Sequence, residues 1–452
     1  MRDSFTVTRV TDIGPGEGWS FPTGFTAFAG DLYFTAEEPE HGRELYRIGR
    51  DGTAVRVTDI AEGGGSSLPD SLTAFGGALY FSAEEPEHGR ELYRLDRNGA
   101  VSRVADIFPG SGGSIPGSQP EPFFEHGGAL YFDAVDPAHG NELYRMTRDG
   151  TVSLVADIDP GTADADPAYF TEFRGEVYFT AGDAEHGVEL FKLGRDGAVS
   201  VAADVWPGGE SSIPYGYTVH DGALYFSAED SEHGRELRRM DRDGTVSLVA
   251  DINPGSADTF VSELVGYRGE LYFQAETPEN GAELYRIARD GAVSLVADIW
   301  PGERGSHPSD FTEYQGELYF SADDPEHRTE LYKLSRDGTL SLVADIAPGA
   351  VNSNPNNFTE YQGSLFFAAD EPEHGRELYR LDAEGDVHLV ADINPDPVSG
   401  HPSTGSSGPH RFFEHRGDRY FVADERQHGL EVYKVSTDAF GAGDGYWPAF
   451  GG

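Results

Sequence analysis

A histidine stands three residues before a glutamate eight times, at His41, His88, His139, His186, His233, His327, His374 and His428, and Asn280 takes the place once. Imidazole and carboxylate are metal-ligand types. A pair recurring in nearly every copy of a unit reads instead as a device that fixes a loop, because folds repeat while sites are single. These histidines are therefore expected to be structural. An acidic stretch precedes each one, and its paired carboxylates Glu37, Glu38, Glu84, Glu85, Asp323 and Asp324 are candidate calcium ligands, since hard cations take oxygen donors. No full Asp-x-Asp-x-Asp-Gly loop accompanies them, so a solvated acidic rim is the preferred expectation and no metal is assigned.

A second set of carboxylates falls at one position of the first strand of several units: Glu125, Glu172, Glu313, Glu360 and Glu414. If that position faces a central channel, the five form a partial ring that holds water or a cation. Two connections are longer than the rest, 108–122 and 394–411, and both lead into Phe-Phe-Glu-His. Extra loop length on a rigid scaffold is a common way to build a binding site. Phe124, Glu125, His126, Phe413, Glu414 and His415 are the ligand-binding candidates, set against simple insertion tolerance at a surface turn. Further departures are Arg238 where other units have an aromatic residue, and Arg328-Thr329 in place of Gly and the usual Arg.

The elements that position these residues come from nine copies of one unit. Glu-Leu-Tyr or a near variant begins at Glu44, Glu91, Glu142, Glu189, Glu236, Glu283, Glu330, Glu377 and Glu431, mostly 47 residues apart. Asp-Ile or Asp-Val and Leu-Tyr-Phe marks recur nine times in the same order. One unit reads as four strands, at 71–75, 78–83, 91–95 and 101–107, with Gly76-Gly77 and Asn98-Gly99 supplying tight turns. A four-stranded unit of this length is the size of a propeller blade. Leu79-Tyr80-Phe81 is apolar throughout, as expected if both blade faces are buried. The chain opens on a spare outer strand and its last unit, ending at residue 435, lacks one. The expected fold is all-β: a single nine-bladed β-propeller over 1–435, closed by the N-terminal strand so that no edge is left open. A Gly-rich tail follows over 436–452, with Phe440, Tyr446, Trp447 and Phe450 expected to pack into or across the channel.

Composition excludes several classes. The 452 residues carry a net charge of −46, so a basic nucleic-acid footprint is absent. There is no cysteine, which removes disulfides and thiolate sites. No apolar run is long enough to span a bilayer. No leader is visible, which leaves a mature form with its signal removed open.

The order Glu330-Leu331-Tyr332, Asp337-Gly338-Thr339, Val343-Ala344-Asp345-Ile346-Ala347-Pro348-Gly349 resembles the bacterial ELWxxDGT-repeat proteins. The resemblance covers nearly the whole chain, with Tyr where the family name has Trp and Asp-Gly two residues further on. It implies a β-propeller, often on secreted or surface proteins, and favours an extracellular placement. It implies no activity and supplies no catalytic residue.

Nine near-equal blades without a unique catalytic constellation suit avidity better than catalysis. The expectation is a monomeric, non-enzymatic binding or structural scaffold that presents an acidic face to a glycan, protein or cation. It needs no cofactor, with calcium the one candidate. The alternative is a hydrolase or lyase with a carboxylate and histidine site at the channel mouth, using the channel glutamates with His126, His220 and His415. A third reading is a recently amplified or consensus-like repeat with no dedicated ligand.

Overall fold

Thirty-six strands form nine four-stranded antiparallel sheets, and there is no helix among the described residues. The computed structural model describes residues 5–14, 18–109, 117–349, 351–395 and 406–437. The tail assigned to 436–452 therefore falls, beyond residue 437, outside the described residues. Blade 1 is Thr23–Phe28, Asp31–Glu38, Gly42–Ile48 and Ala54–Arg56, hydrogen-bonded in that order from channel to rim, and the next seven blades repeat it. Inner strands of neighbouring blades lie side by side around the ring, blade 9 returning to blade 1.

Closure follows the expectation. The N-terminal strand Phe5–Arg9 is the outer strand of blade 9, pairing antiparallel with Gly429–Thr437 from Phe5 opposite Thr437 to Arg9 opposite Tyr433. Blade 2 shows where strand limits differ from the sequence reading. Its second and third strands extend to Ala78–Glu85 and Gly89–Leu95, while the fourth stops at Val101–Arg103. Beyond it the Val104 amide still bonds to the Leu92 carbonyl at 2.8 Å, and the Ile107 amide donates to buried Glu91 at 3.2 Å.

The core is nine apolar layers, one between each pair of blades. Leu79, Phe81 and Ala83 pack against Phe28, Tyr33 and Leu45 of blade 1, while Ala78, Tyr80 and Leu92 pack against Leu130, Phe132 and Tyr144 of blade 3. Successive strand residues point to opposite faces, so an unbroken apolar run serves two seams. Each seam needs its neighbour, and the closing strand carries Phe5 and Val7 into the seam between blades 8 and 9. Deleting residues 1–9 uncovers the edge Gly429–Thr437 and half-strips one seam. The variant is expected to melt at a lower temperature and to self-associate as concentration rises, which calorimetry and gel filtration check; an unchanged melt and elution would contradict ring closure by this strand.

Candidate functional site

The glutamate of each third strand is wholly buried in all nine blades, from Glu44 to Glu431. Each reaches into the connection that leads to the next blade. Glu189 accepts from the amides of Val205 (2.9 Å), Trp206 (3.2 Å) and Ser212 (3.0 Å), and from Ser212 Oγ at 2.6 Å. Glu431 does the same across the closure, accepting from Thr11 Oγ1 at 2.6 Å and the amides of Ile13 and Gly14 at 3.0 Å. Burial pushes up the carboxyls of Glu91, Glu189, Glu236, Glu283 and Glu431, and lifts Glu142, Glu330 and Glu377 to about 7. The lengthened connections keep the anchor, with Ser118 Oγ to Glu91 and Ser407 Oγ to Glu377 both 2.6 Å. Residues 110–116 and 396–405 of those connections lie outside the described residues.

The repeated histidines fix the turn between second and third strands. Asp183 accepts from the His186 amide at 2.7 Å and from its Nδ1 at 2.9 Å. His41 lies 2.8 Å from Glu38, His88 2.7 Å from Glu85, His139 2.7 Å from Asp136, His233 3.1 Å from Asp230 and His327 2.9 Å from Asp324; His374 contacts Glu371. His428 instead reaches Asp12 of the closing segment at 3.4 Å. The same acid takes the tyrosine hydroxyl of the third strand, as in Tyr433 to Glu425 at 2.8 Å. In blade 5 the unusual Arg238 binds Asp230 in the tyrosine's place. In blade 6 the charged pair becomes Thr277 and Asn280, the Asn280 amide donating to Thr277 Oγ1 at 3.3 Å. Arg328, in the glycine's place, has φ of +68°.

The calcium candidates do not converge. Glu38 and Glu85 are held by their histidines and by Arg56 (3.2 Å) and Arg103 (2.7 Å). Asp324 accepts from Tyr332 Oη, and Asp323 from Thr329 Oγ1. Glu37 faces Arg43 at 4.0 Å. Glu84, like Glu37, precedes its partner on one strand, and neighbours on a strand face opposite ways.

The inner strands line the channel. The end shared by the interblade connections and the second-to-third turns is the upper mouth; the hairpin turns form the lower one. At the fifth of six inner-strand residues, Glu125, Glu172, Glu313, Glu360 and Glu414 are exposed, as are Ala27, Ala74, Val219 and Gly266 in the other blades. This is the partial ring of carboxylates. Two of the five have partners: Glu172 with His126 Nδ1 at 3.2 Å, and Glu414 with Arg419 at 3.1 Å.

The remaining expected residues are placed differently. Phe124 packs in the seam between blades 3 and 4, its ring 6.0 Å from Phe170. Phe413 packs between blades 9 and 1, 6.4 Å from Phe25. Both are partly buried in these seams. His126, His220 and His415 share the last inner-strand position with Tyr267, Tyr314 and Tyr361. Those tyrosines donate to the turn carbonyls of Gly316, Gly363 and Gly417, one blade on, at 2.7–2.9 Å. The histidines are thus variants of a seam-sealing position in blades 3, 5 and 9, and the ring keeps them apart. Burial, then the Arg416 charge, lowers the pKa of His415.

Sequence reasoning missed the pair that departs most from the repeat. Blade 3 pairs its inner strand Glu121–His126 with Ala129–Asp136, and Glu121 lies directly opposite Asp133. The Asp133 position holds Ser, Thr, Gln, Ala or Val in the other blades. Asn141, where four blades have arginine, donates to Asp133 Oδ2 at 2.9 Å. Asp133 Oδ1 is buried with no hydrogen-bond partner among the described residues. Burial, with the Glu121 charge adding to it, lifts Asp133 to about 7. Burial also raises Glu121, against the opposing charge of Arg90. Both lie at the upper end of the strand. His126 lies five residues away, about 16 Å along it, so it does not join them.

No family model and no curated protein matches the sequence. Among solved structures, the chain is similar to a puromycin hydrolase at 18% identity, over 79% of this chain and 58% of that one, TM-score 0.38. It is similar to a Mycobacterium tuberculosis puromycin-hydrolyzing peptidase at 14%, over 93% and 61%, TM-score 0.42. Porphyromonas gingivalis dipeptidyl peptidase 4 is similar at 11%, over 82% and 59%, TM-score 0.45. The chain thus spans about three-fifths of the length of these peptidases, and the likeness is one of fold. These neighbours are named as hydrolytic enzymes, against the expected non-enzymatic scaffold, and likeness at this level shows the fold alone. The alternative weighed beside it stands or falls on this chain's own residues.

The titrating groups set a direction for stability. A carboxyl raised from 4.5 towards 7, as at Glu142, Glu330 and Glu377, holds a proton that the unfolded chain has released, so stability falls as pH rises through that window. His139, His186, His327 and His374 are raised above 6.5 by their carboxylates, and their contribution is likewise lost as pH rises through the raised value. Asp183 and Asp324, lowered below 3.8 by their histidine, tyrosine and backbone donors against burial, lose theirs as pH falls. The melting temperature is expected to be higher at pH 5 than at pH 8 and to drop again below about pH 3.5. A melt that rises steadily to pH 8 would contradict the buried anchors.

Proposed function

We propose that the chain is a hydrolase whose acid–base pair is Asp133 and Glu121 at the upper channel mouth. The observation that carries this reading is a half-buried Asp133 lifted to about 7 opposite a second carboxyl, in one blade of nine. Shifted carboxyls with a specific charged neighbour cluster at functional sites, and Asp133, unlike the anchor glutamates, is not repeated around the ring. A carboxylic acid that keeps its proton near neutral pH can protonate a leaving group, while its ionised neighbour takes a proton from attacking water. Asp133 is the donor and Glu121 the base, with Asn141 orienting Asp133. The two stand opposite each other in one antiparallel register, and the Glu121 charge opposes ionisation of Asp133.

The test is a panel of chromogenic ester, amide and glycoside substrates followed by Asp133→Asn and Glu121→Gln. Each variant is expected to lower kcat by about 10²- to 10⁴-fold, the range of general acid–base contributions, with no fall in melting temperature. The wild-type rate is expected to decline as pH rises past about 7, where Asp133 loses its proton. Turnover that survives both substitutions, or is still rising at pH 8, would contradict the assignment.

A further inference from the structure

The second residue of each inner strand sits at a β-bulge with left-handed backbone. The register shifts there in every blade, as between Ala168 and Thr171 in blade 4. The residues so placed are Gly24, Ser71, Tyr169, Gly216, Glu263, Asp310, Asn357 and Arg411, with φ of +54° to +71°; blade 3 has Pro122. This bulge holds each side chain at the upper mouth, and bulges commonly re-aim side chains in this way.

Blades 4 to 6 break the wall. At Gly216 an added Cβ would meet nothing within 4 Å, and the gap opens a cavity of about 460 Å³, the size of small-molecule sites. Tyr169 flanks it on one side and is 59% exposed. Glu263 flanks it on the other, with Tyr215, Val261 and Leu264 also in the lining. A tyrosine held with φ of +57° is in a region bulky residues avoid, so the surrounding bulge dictates where the ring goes.

Charge selects the occupant. No lysine or arginine lines the cavity. Arg235 stands over the Tyr215 ring at 5.1 Å, but it is 8% exposed and committed to the Ile213 carbonyl at 3.0 Å and Glu229 at 3.4 Å. Glu263 is raised by burial and then by the charge of Asp310 in blade 7, a repulsion that a bound cation relieves. An aromatic face beside a carboxylate is the arrangement that attracts alkylammonium groups.

We propose that this cleft binds an organic cation of the alkylammonium type, seated on the Tyr169 ring with Glu263 as counter-ion. The inference rests on reading the upper mouth as the substrate side: the cleft opens at the same end of the ring as Asp133 and Glu121, and its Tyr169 wall belongs to the blade next to theirs, so it names a group the substrate carries.

The test uses calorimetric titration of the whole chain with choline and with 3,3-dimethylbutan-1-ol, its uncharged isostere, and needs no turnover. Choline is expected to saturate one site and to bind at least about tenfold more tightly than the alcohol, the range a cation–ring contact with a counter-ion supplies. Tyr169→Ala and Glu263→Gln each weaken it by about tenfold or more. Tyr169→Phe, which keeps the ring, and Glu360→Gln, which removes a channel carboxylate elsewhere, leave it within about threefold. Equal binding of the two probes, equal weakening by Glu360→Gln, or no saturation by about 10 mM would overturn the inference. Choline binding that persists in Asp133→Asn, with no hydrolysis found in any assay, keeps the cleft and removes the catalytic pair.

Discussion

Nine glutamate carboxylates, each without solvent contact, accept hydrogen bonds from the chain that passes from one blade to the next. A connection between blades has backbone donors that no sheet can satisfy, and burying them unpaired costs about 1–3 kcal/mol each. One carboxylate serves two amides and often a hydroxyl, so a single side chain resolves three donors. The same group repeats at Glu431, whose donors come from residues 11–14, so ring closure uses no separate device. The frame tolerates insertions for this reason: Ser118 and Ser407 reach their glutamates although the connections before them are longer.

A frame built by repetition leaves chemistry to the positions that do not repeat. The histidines, the turn acids and the third-strand glutamates are all committed to backbone or to one another, which removes them from contention as ligands. Two of the departures lie at the upper mouth. There blade 3 has Asp133 where the other blades have Ser, Thr, Gln, Ala or Val, and blade 5 removes a side chain at Gly216. The two departures lie close together on the ring, with Tyr169 of blade 4 between them. An acid–base pair and an aromatic cleft with a carboxylate make a site only in combination, one supplying proton transfer and the other holding what is to be cleaved. The net charge of −46 favours a cationic substrate on approach as well.

Much of the frame was legible in the sequence because its causes are local and periodic. The unbroken Leu79-Tyr80-Phe81 run reported two buried faces, and the unpaired strands at the two ends reported closure. The channel glutamates were legible as a column but not as individuals: the neighbouring blade gives Glu172 its histidine, and the paired second strand of its own blade gives Glu414 its arginine. The repeated tetrapeptide around Phe124 and His126 did not announce that its phenylalanine packs in the seam between blades. Asp133 went unnoticed inside an otherwise regular second strand, although its type is unique among the nine copies. The left-handed position had no readable signature at all. Gly, Ser, Tyr, Glu, Asp, Asn and Arg all occupy it, because a β-bulge sets its backbone and leaves the side chain unconstrained by packing.

Native-state amide exchange tests the central claim most directly. The amides of Ile158, Val205, Ile299, Ile346 and Ile393 lie outside the strands, yet each donates to a buried glutamate at 2.8–3.1 Å. If those carboxylates hold the ring together, these five exchange only on global opening, as slowly as the amides of the third strands. If they exchange at the rate of the exposed hairpin turns, the connections are not anchored, and the frame on which the upper-mouth site is built is held by the apolar seams alone.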